Sequence, residues 1–221
     1  MINIVRSTIS KDEHYYFGVS MGVDSVSAYF WMLNKGYNVS PIHFNHKLRP
    51  QNDLMESKYL ELCDATHKIP MVGKGKNLST ESDCRKARLE FVKSVVNFGG
   101  SILTAHHLND FVESYLLNCF RGKPDNNIIS LVSNFPEYKI VHPFLLSRKK
   151  DLIQYAERND LMRFVVTDET NGIIKGSRRN WIRNVIVPEM KKQKLSLEKF
   201  CIEKIKEMEK NYSIENETAL G

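Results

Sequence analysis

Ser20-Met21-Gly22-Val23-Asp24-Ser25 stands between a short apolar run and a helical pattern, a setting suited to holding a phosphate or pyrophosphate. A loop that enters a helix N-terminus offers unpaired backbone N–H groups and the positive end of the helix dipole. Small residues let the backbone approach an anion, and the Ser20 and Ser25 hydroxyls add hydrogen bonds; the same residues would equally serve an ordinary capped turn. Neither GxxxxGK[ST] nor GxGxxG occurs in the chain, so the loop is neither of those phosphate-binding types. Asp110 and Glu113 are spaced to share one helix face near its start, where they could position a base edge, a metal or an amine, or simply complement the helix dipole. Arg85 and Arg88 share a face in the same way. His106 and His107 follow another apolar run and either act beside the carboxylates or merely end a strand.

These groups meet only if the chain between them folds in a particular order. Apolar runs rich in β-formers at 15–19, 39–44, 69–72 and 101–105 alternate with helical patterns at 23–34, 53–66, 80–96 and 108–120. Gly36 and Gly99-Gly100 end two of the helices, and Ser79 or Thr80 caps the third. Such alternation predicts an α/β fold, a parallel sheet with helices on both faces and a ligand at the carboxyl ends of the strands. Residues 123–136 show little periodicity and read as a long connection or a short helix. A last strand is expected at 140–141, then helices at 147–159, at 178–192 interrupted or bent near Pro188, and at 195–210. The division follows as 1–145 for the sheet domain, 146–210 for a small C-terminal helical region and 211–221 for a flexible tail.

The chain has 221 residues and a net charge of +6, and the charge is concentrated: residues 139–210 hold 17 Lys and Arg against 10 Asp and Glu. Lys175, Arg178, Arg179, Arg183, Lys191, Lys192 and Lys194 are accompanied only by Glu189, a pattern that fits either nucleic-acid phosphates or a solvated helix face. Cys63, Cys84, Cys119 and Cys201 form no CxxC pair, which predicts reduced thiols in a cytoplasmic protein rather than disulfides or a zinc site. No apolar stretch reaches membrane-spanning length, so no membrane partner is expected.

In order along the chain, six further segments accompany the Ser20–Ser25 loop: IHFNHKLR at 42–49, ESDCRKAR at 81–88, TAHHLNDFVES at 104–114, HPFLLSR at 142–148, DETN at 168–171 and RNWIR at 179–183. The loop resembles the SGGxDS pattern of PP-loop enzymes, which split ATP between its α and β phosphates. The others are similar to the VHVNHGLR, ExxARxxR, TAHHxDDQAET, PLLxxxR, DxSN and RNxIR segments of the tRNA(Ile)-lysidine synthetases. The resemblance implies a PP-loop domain over 1–145 that uses ATP and Mg2+, with 146–210 meeting tRNA. It implies adenylation of a tRNA(Ile) anticodon cytidine through its O2, followed by displacement of AMP by a free lysine.

By the same resemblance Ser20, Met21, Gly22, Val23, Asp24, Ser25, Phe44 and His106 hold the nucleotide, with Asp24 also on the metal; a nucleotide that extends from the loop along the carboxyl edge of a parallel sheet has its adenine by His43 and Phe44. Asp24, Arg85, Asp110 and Glu113 are the implied catalytic set, and Arg88, Arg148, Arg178, Arg179 and Arg183 the tRNA contacts. Trp181 is either an aromatic interleaved among those contacts or a core residue. Two positions depart from the patterns: Met21 replaces the first glycine, where a side chain would crowd the loop or point outward, and Asn109 replaces the first Asp of DDQAET. The resemblance further implies a minimal form without the additional C-terminal domains of many lysidine synthetases. Alternatives are a PP-loop tRNA thiolation enzyme, whose paired cysteines this chain lacks, and a non-catalytic RNA-binding relative.

Overall fold

The computed structural model describes residues 1–96, 99–126, 128–167 and 177–220. Among these, six strands form one sheet: β1 (His14–Gly18), β2 (Asn38–Asn45), β3 (Val72–Lys74), β4 (Gly100–Leu103), β5 (Val132–Asn134) and β6 (Tyr138–Val141), in the order β3-β2-β1-β4-β6-β5. Every pairing is parallel except that of β5 with β6. Alternate side chains of a strand point to opposite faces, and β1 carries apolar residues on both. Tyr15 and Phe17 pack with residues of α1 (Val23–Asn34), α2 (Pro50–Ala65) and α5 (Lys149–Arg158), while Tyr16 packs with residues of α3 (Glu81–Val95). α4 (Leu108–Phe120) is covered separately, its Leu108, Phe111 and Leu116 joining Ile182 and, from α8 (Glu198–Leu220), Cys201 and Ile205.

From β1 the chain winds outward through β2 to β3, and from β4 in the opposite direction to β6. Neighbouring strands whose connections diverge leave a crevice beyond their carboxyl ends. The loop after β1 and the N-terminus of α4 after β4 both open onto it.

Four local features differ from the sequence reading. Strand β3 begins at Val72 rather than 69, because Pro70 has no N–H to give a ladder and Ile69 is 82% exposed. Residues 132–134 of the supposed connection form β5, a hairpin partner of β6 closed by the Phe135 N–H on the Tyr138 carbonyl at 2.9 Å. The helix expected at 178–192, interrupted or bent near Pro188, is interrupted, and the interruption is a change of helix type. It runs as α6 (Arg178–Trp181), a π-helical stretch Ile182–Ile186 and α7 (Val187–Lys192), the wide turn falling just before Pro188, which cannot donate to the turn preceding it. The residues expected to fray, 211–220, continue α8, since no glycine or proline interrupts 198–220. No helix among the described residues is long and apolar enough to cross a membrane.

The short edge strand β3 is pinned by one side chain. Tyr59 Oη donates to the Pro41 carbonyl at 2.8 Å and accepts from Met71 N at 3.0 Å, and its ring is fully buried against that of His43. Tyr59→Phe keeps the ring and removes the oxygen, leaving buried backbone groups unpaired. It is expected to lower the urea unfolding free energy by about 1–3 kcal/mol, the usual cost of an orphaned buried partner.

Candidate active site

Beyond β1 the chain turns sharply. The Ser20 N–H donates to Ser25 Oγ at 3.1 Å, and Ser25 Oγ in turn donates to the Gly22 carbonyl at 3.0 Å. Gly22 is the N-cap of α1 and supplies no side-chain cap, so the first N–H groups of that helix face the crevice. Met21 sits at φ +63°, a conformation natural to glycine, yet its side chain is fully buried in the core and its carbonyl accepts from Val166 N at 2.8 Å. The side chain therefore neither crowds the loop nor points outward.

Two more helix N-termini converge on Asp24. α4 is capped by His107, whose Nδ1 accepts from Asp110 N at 3.3 Å while the Asp110 carboxylate accepts from His107 N at 3.0 Å. That leaves His107 Nε2 directed at Asp24 Oδ2, 3.5 Å away. α5 begins beside it, with the Lys149 N–H capped by Asn109 Oδ1 at 3.0 Å and the Lys149 ammonium 3.3 Å from the same Asp24 oxygen. Burial is the largest influence on Asp24 and would raise its pKa, but His107 and Lys149 together outweigh it and hold the pKa below the ordinary carboxylate value. The other oxygen, Asp24 Oδ1, is buried with no hydrogen-bond partner among the described residues.

Asp110 and Glu113 are both buried, and both are paired. Arg179 reaches Asp110 Oδ1 at 2.9 Å and Glu113 Oε2 at 3.1 Å. Arg183 grips Glu113 through Nε at 2.8 Å and a terminal nitrogen at 2.8 Å, a two-pronged contact. On Asp110 burial again pushes upward, and His107, Arg179 and His106 overcome it, so the pKa is lowered. Nearby, Thr104 Oγ1 lies 2.9 Å from His106 Nδ1 and 2.5 Å from His142 Nδ1. Burial, reinforced by His106, takes the His142 pKa down to about 3, and that imidazole is neutral at physiological pH.

A family model described as a PP-loop domain matches residues 2–190. The chain belongs to the PP-loop family. It is 31% identical over 193 residues to the tRNA(Ile)-lysidine synthase of Staphylococcus aureus strain MW2, a match that takes in 80% of this chain and 44% of that protein. Similar proteins of the same name occur in Staphylococcus epidermidis strain RP62A, 28% identical over 85% of this chain and 46% of the relative, and in Coxiella burnetii, 27% identical over 85% and 43%. The chain thus spans less than half the length of these relatives. Among solved structures, the U34-tRNA thiolase NcsA of Methanococcus maripaludis superposes with a TM-score of 0.70 at 14% identity, over 93% of this chain and 76% of that one, a likeness of fold.

Within this PP-loop domain, Ser20, Gly22, Val23, Asp24, Ser25, His106, Asp110 and Glu113 gather at the crevice, whereas the other expected residues divide. Arg85 and Arg88 stand exposed on the first turns of α3 and make no ion pair among the described residues. Protein nevertheless surrounds the Arg88 guanidinium closely enough that burial, then Arg85, lowers its pKa. Arg179 and Arg183 turn inward onto carboxylates instead of outward, Arg148 pairs with Glu198 at 2.9 Å, and Arg178 is exposed. His43 and Phe44 point to opposite sheet faces, His43 stacked on Tyr59 and Phe44 packed on Phe91, so one base cannot lie against both. The segment 168–171 and Lys175 lie outside the described residues. Lys149 escaped the sequence reading because nothing about a lysine in a basic helix marks it as the one that reaches Asp24.

Met21→Gly restores the PP-loop glycine and relieves left-handed strain of about 1–2 kcal/mol, but it empties a filled core site. A net destabilisation of about 1–3 kcal/mol in urea unfolding is expected, since emptying a buried methionine site costs more than that strain. Asp110→Asn loses charge pairing with partly exposed arginines and should cost about 1–3 kcal/mol at pH 7. Because folding lowers the Asp110 pKa, its contribution is complete above the unfolded value near 3.9 and is lost as pH falls through the folded value. The gap between wild type and Asp110→Asn, measured by urea unfolding at descending pH, should therefore close in acid.

Proposed function

We propose that the crevice binds the triphosphate of ATP and adenylates a cytidine of tRNA, to which a free lysine is then joined. The observation that carries this reading is the convergence of three helix N-termini and Lys149 on Asp24. Backbone N–H groups of the Ser20–Ser25 turn take the pyrophosphate portion, as helix N-termini take anions generally. Lys149 offers its three N–H donors to the same phosphates, and Arg85 and Arg88, cations with no ion-pair partner among the described residues, neutralise charge that develops as the α-phosphorus is attacked. Support for the particular reaction comes from the similarity to tRNA(Ile)-lysidine synthases.

Asp24 Oδ1, a buried carboxylate oxygen without a partner among the described residues, fits a hard cation such as Mg2+, which characteristically takes one or two carboxylates and completes its shell with phosphate and water. Bound there, the ion would supply charge neutralisation between the phosphates. In the first step the cytosine O2 forms a bond to the α-phosphorus and pyrophosphate leaves. In the second, the lysine amine bonds to the activated ring carbon, AMP departs, and the amine loses a proton. Asp110 and Glu113 can take the incoming ammonium only by releasing a guanidinium, so we assign Arg179 and Arg183 the role of holding those carboxylates in place.

Mass spectrometry of tRNA nucleosides after incubation with ATP, lysine and the full chain should show cytidine increased by lysine. A thiolated nucleoside, or no change with no ATP–pyrophosphate exchange, would overturn the proposal. Asp24→Asn should reduce tRNA-dependent exchange by about 10²–10³-fold, the usual loss for one electrostatic stabiliser. Lys149→Met should raise the KM for ATP by about tenfold or more, in line with one hydrogen bond to a charged group.

A further inference from the structure

Arg179 and Arg183 face the carboxylates of α4, so the other side of the same helix faces outward, and its composition is unusual. Trp181 is 38% exposed and Phe120, at the end of α4, 59% exposed, with ring centroids 5.8 Å apart and planes inclined at 49°. A cavity of about 220 Å³ opens between them, floored by Leu117 and Ile182 and rimmed by Arg121 and Arg178. Both arginines are exposed, and no acidic residue among the described residues lines the cavity. Gly122, at φ +70°, ends α4 and leaves Arg121 as its cap at this rim.

Two large aromatic faces left to solvent forgo burial that a core position would give them. An aromatic surface edged by guanidinium groups matches one ligand chemistry well: an unpaired nucleobase with its flanking phosphates. Each base presents a π-face to stack, and arginines take the backbone charge. The inclination of the rings prevents one base from lying flat on both, so a base stacks on one ring and meets the edge of the other. Along α4 the platform lies seven residues from Glu113, which at 1.5 Å per residue is about 10 Å from the carboxylate network. From His107, where α4 opens onto the crevice, Phe120 is about 20 Å along the helix, so a nucleotide held there would lie a few positions along the strand from the one at the crevice.

The geometry points to Phe120 and Trp181, with Arg121 and Arg178, as a stacking subsite for a second unpaired nucleotide of the RNA substrate. This rests on the tRNA reading above, which it deepens by fixing where the loop beside the reacting cytidine is gripped. The flat, weakly charged alternative, a contact between two copies of this chain, is disfavoured by the arginines, which would face one another across such a contact.

The chain has two tryptophans, Trp31 and Trp181, so Trp31→Phe leaves Trp181 as the single indole reporter. Titrating that full-length variant with a stem-loop RNA bearing an exposed loop cytidine should quench its fluorescence saturably. Trp181→Ala should weaken RNA binding about ten- to hundredfold with the salt slope unchanged, the size of effect seen for one lost stacking partner, while Trp181→Phe retains most of the affinity. Arg121→Gln with Arg178→Gln should instead reduce the slope of log affinity against log salt by about 0.7 per arginine. An unaltered thermal unfolding midpoint in each variant separates lost contact from lost fold. RNA binding by the wild-type chain with no quench and no dependence on Trp181 would overturn the subsite and leave the tRNA reading standing. Absence of RNA binding by the wild-type chain would sink both. Emission that shifts with protein concentration in the absence of RNA would assign the rings to a contact between copies, and the subsite would fall.

Discussion

A carboxylate taken out of water must find positive charge or lose its own, and in this protein that constraint runs as a chain of contacts through the crevice. Arg179 and Arg183 hold Asp110 and Glu113. Asp110 then caps and orients His107, and His107 turns its other nitrogen to Asp24. The C-terminal helices are thus part of the machinery that aims the loop after β1, although they lie far from it in sequence. Removing one partner from such a set leaves the next one exposed to the full cost of an unpaired buried charge, so the group behaves as a unit.

The same economy of partners explains the two positions that depart from the family pattern. Asn109 stands where a second acidic residue is expected, and its amide oxygen caps the first turn of α5, which is the turn that carries Lys149 to Asp24. Met21 stands where glycine is expected and adopts the backbone of a glycine, its side chain filling the core beneath the loop. Asn109 is thus accommodated at a helix terminus, and Met21 by packing.

Much of this was readable in the residues. The helices at Val23–Asn34 and Leu108–Phe120 and the parallel order of the sheet follow from hydrophobic periodicity, Gly36, and the position of the small-residue loop. The apolar pair Ile69 and Met71 suggests an early start for β3 that the intervening proline forbids, and β5 leaves no trace in the pattern because three residues are too few to show a period. Asp110 and Glu113 were identifiable as a pair on one helix face. That their partners would be Arg179 and Arg183 was not, since a basic run gives no indication of which side chains turn inward; that choice is made by the docking of one helix on another. Lys149 is illegible for the same reason.

Both margins of the sheet are three-residue strands, β3 at one side and β5 at the other. β5 carries Ser133 and Asn134, and β3 ends in Gly73 and Lys74, so neither margin offers a long, flat, apolar row of unpaired N–H and C=O groups. Strands of that kind are poor templates for a foreign chain. The interior strand β1, flanked by β2 and β4, is screened laterally as well as by the helices above and below, whereas β3 covers β2 only at His43–Asn45 and leaves the rest of that strand to the helices. Resistance to edge-to-edge polymerisation is in this way written into the brevity of the two outermost strands.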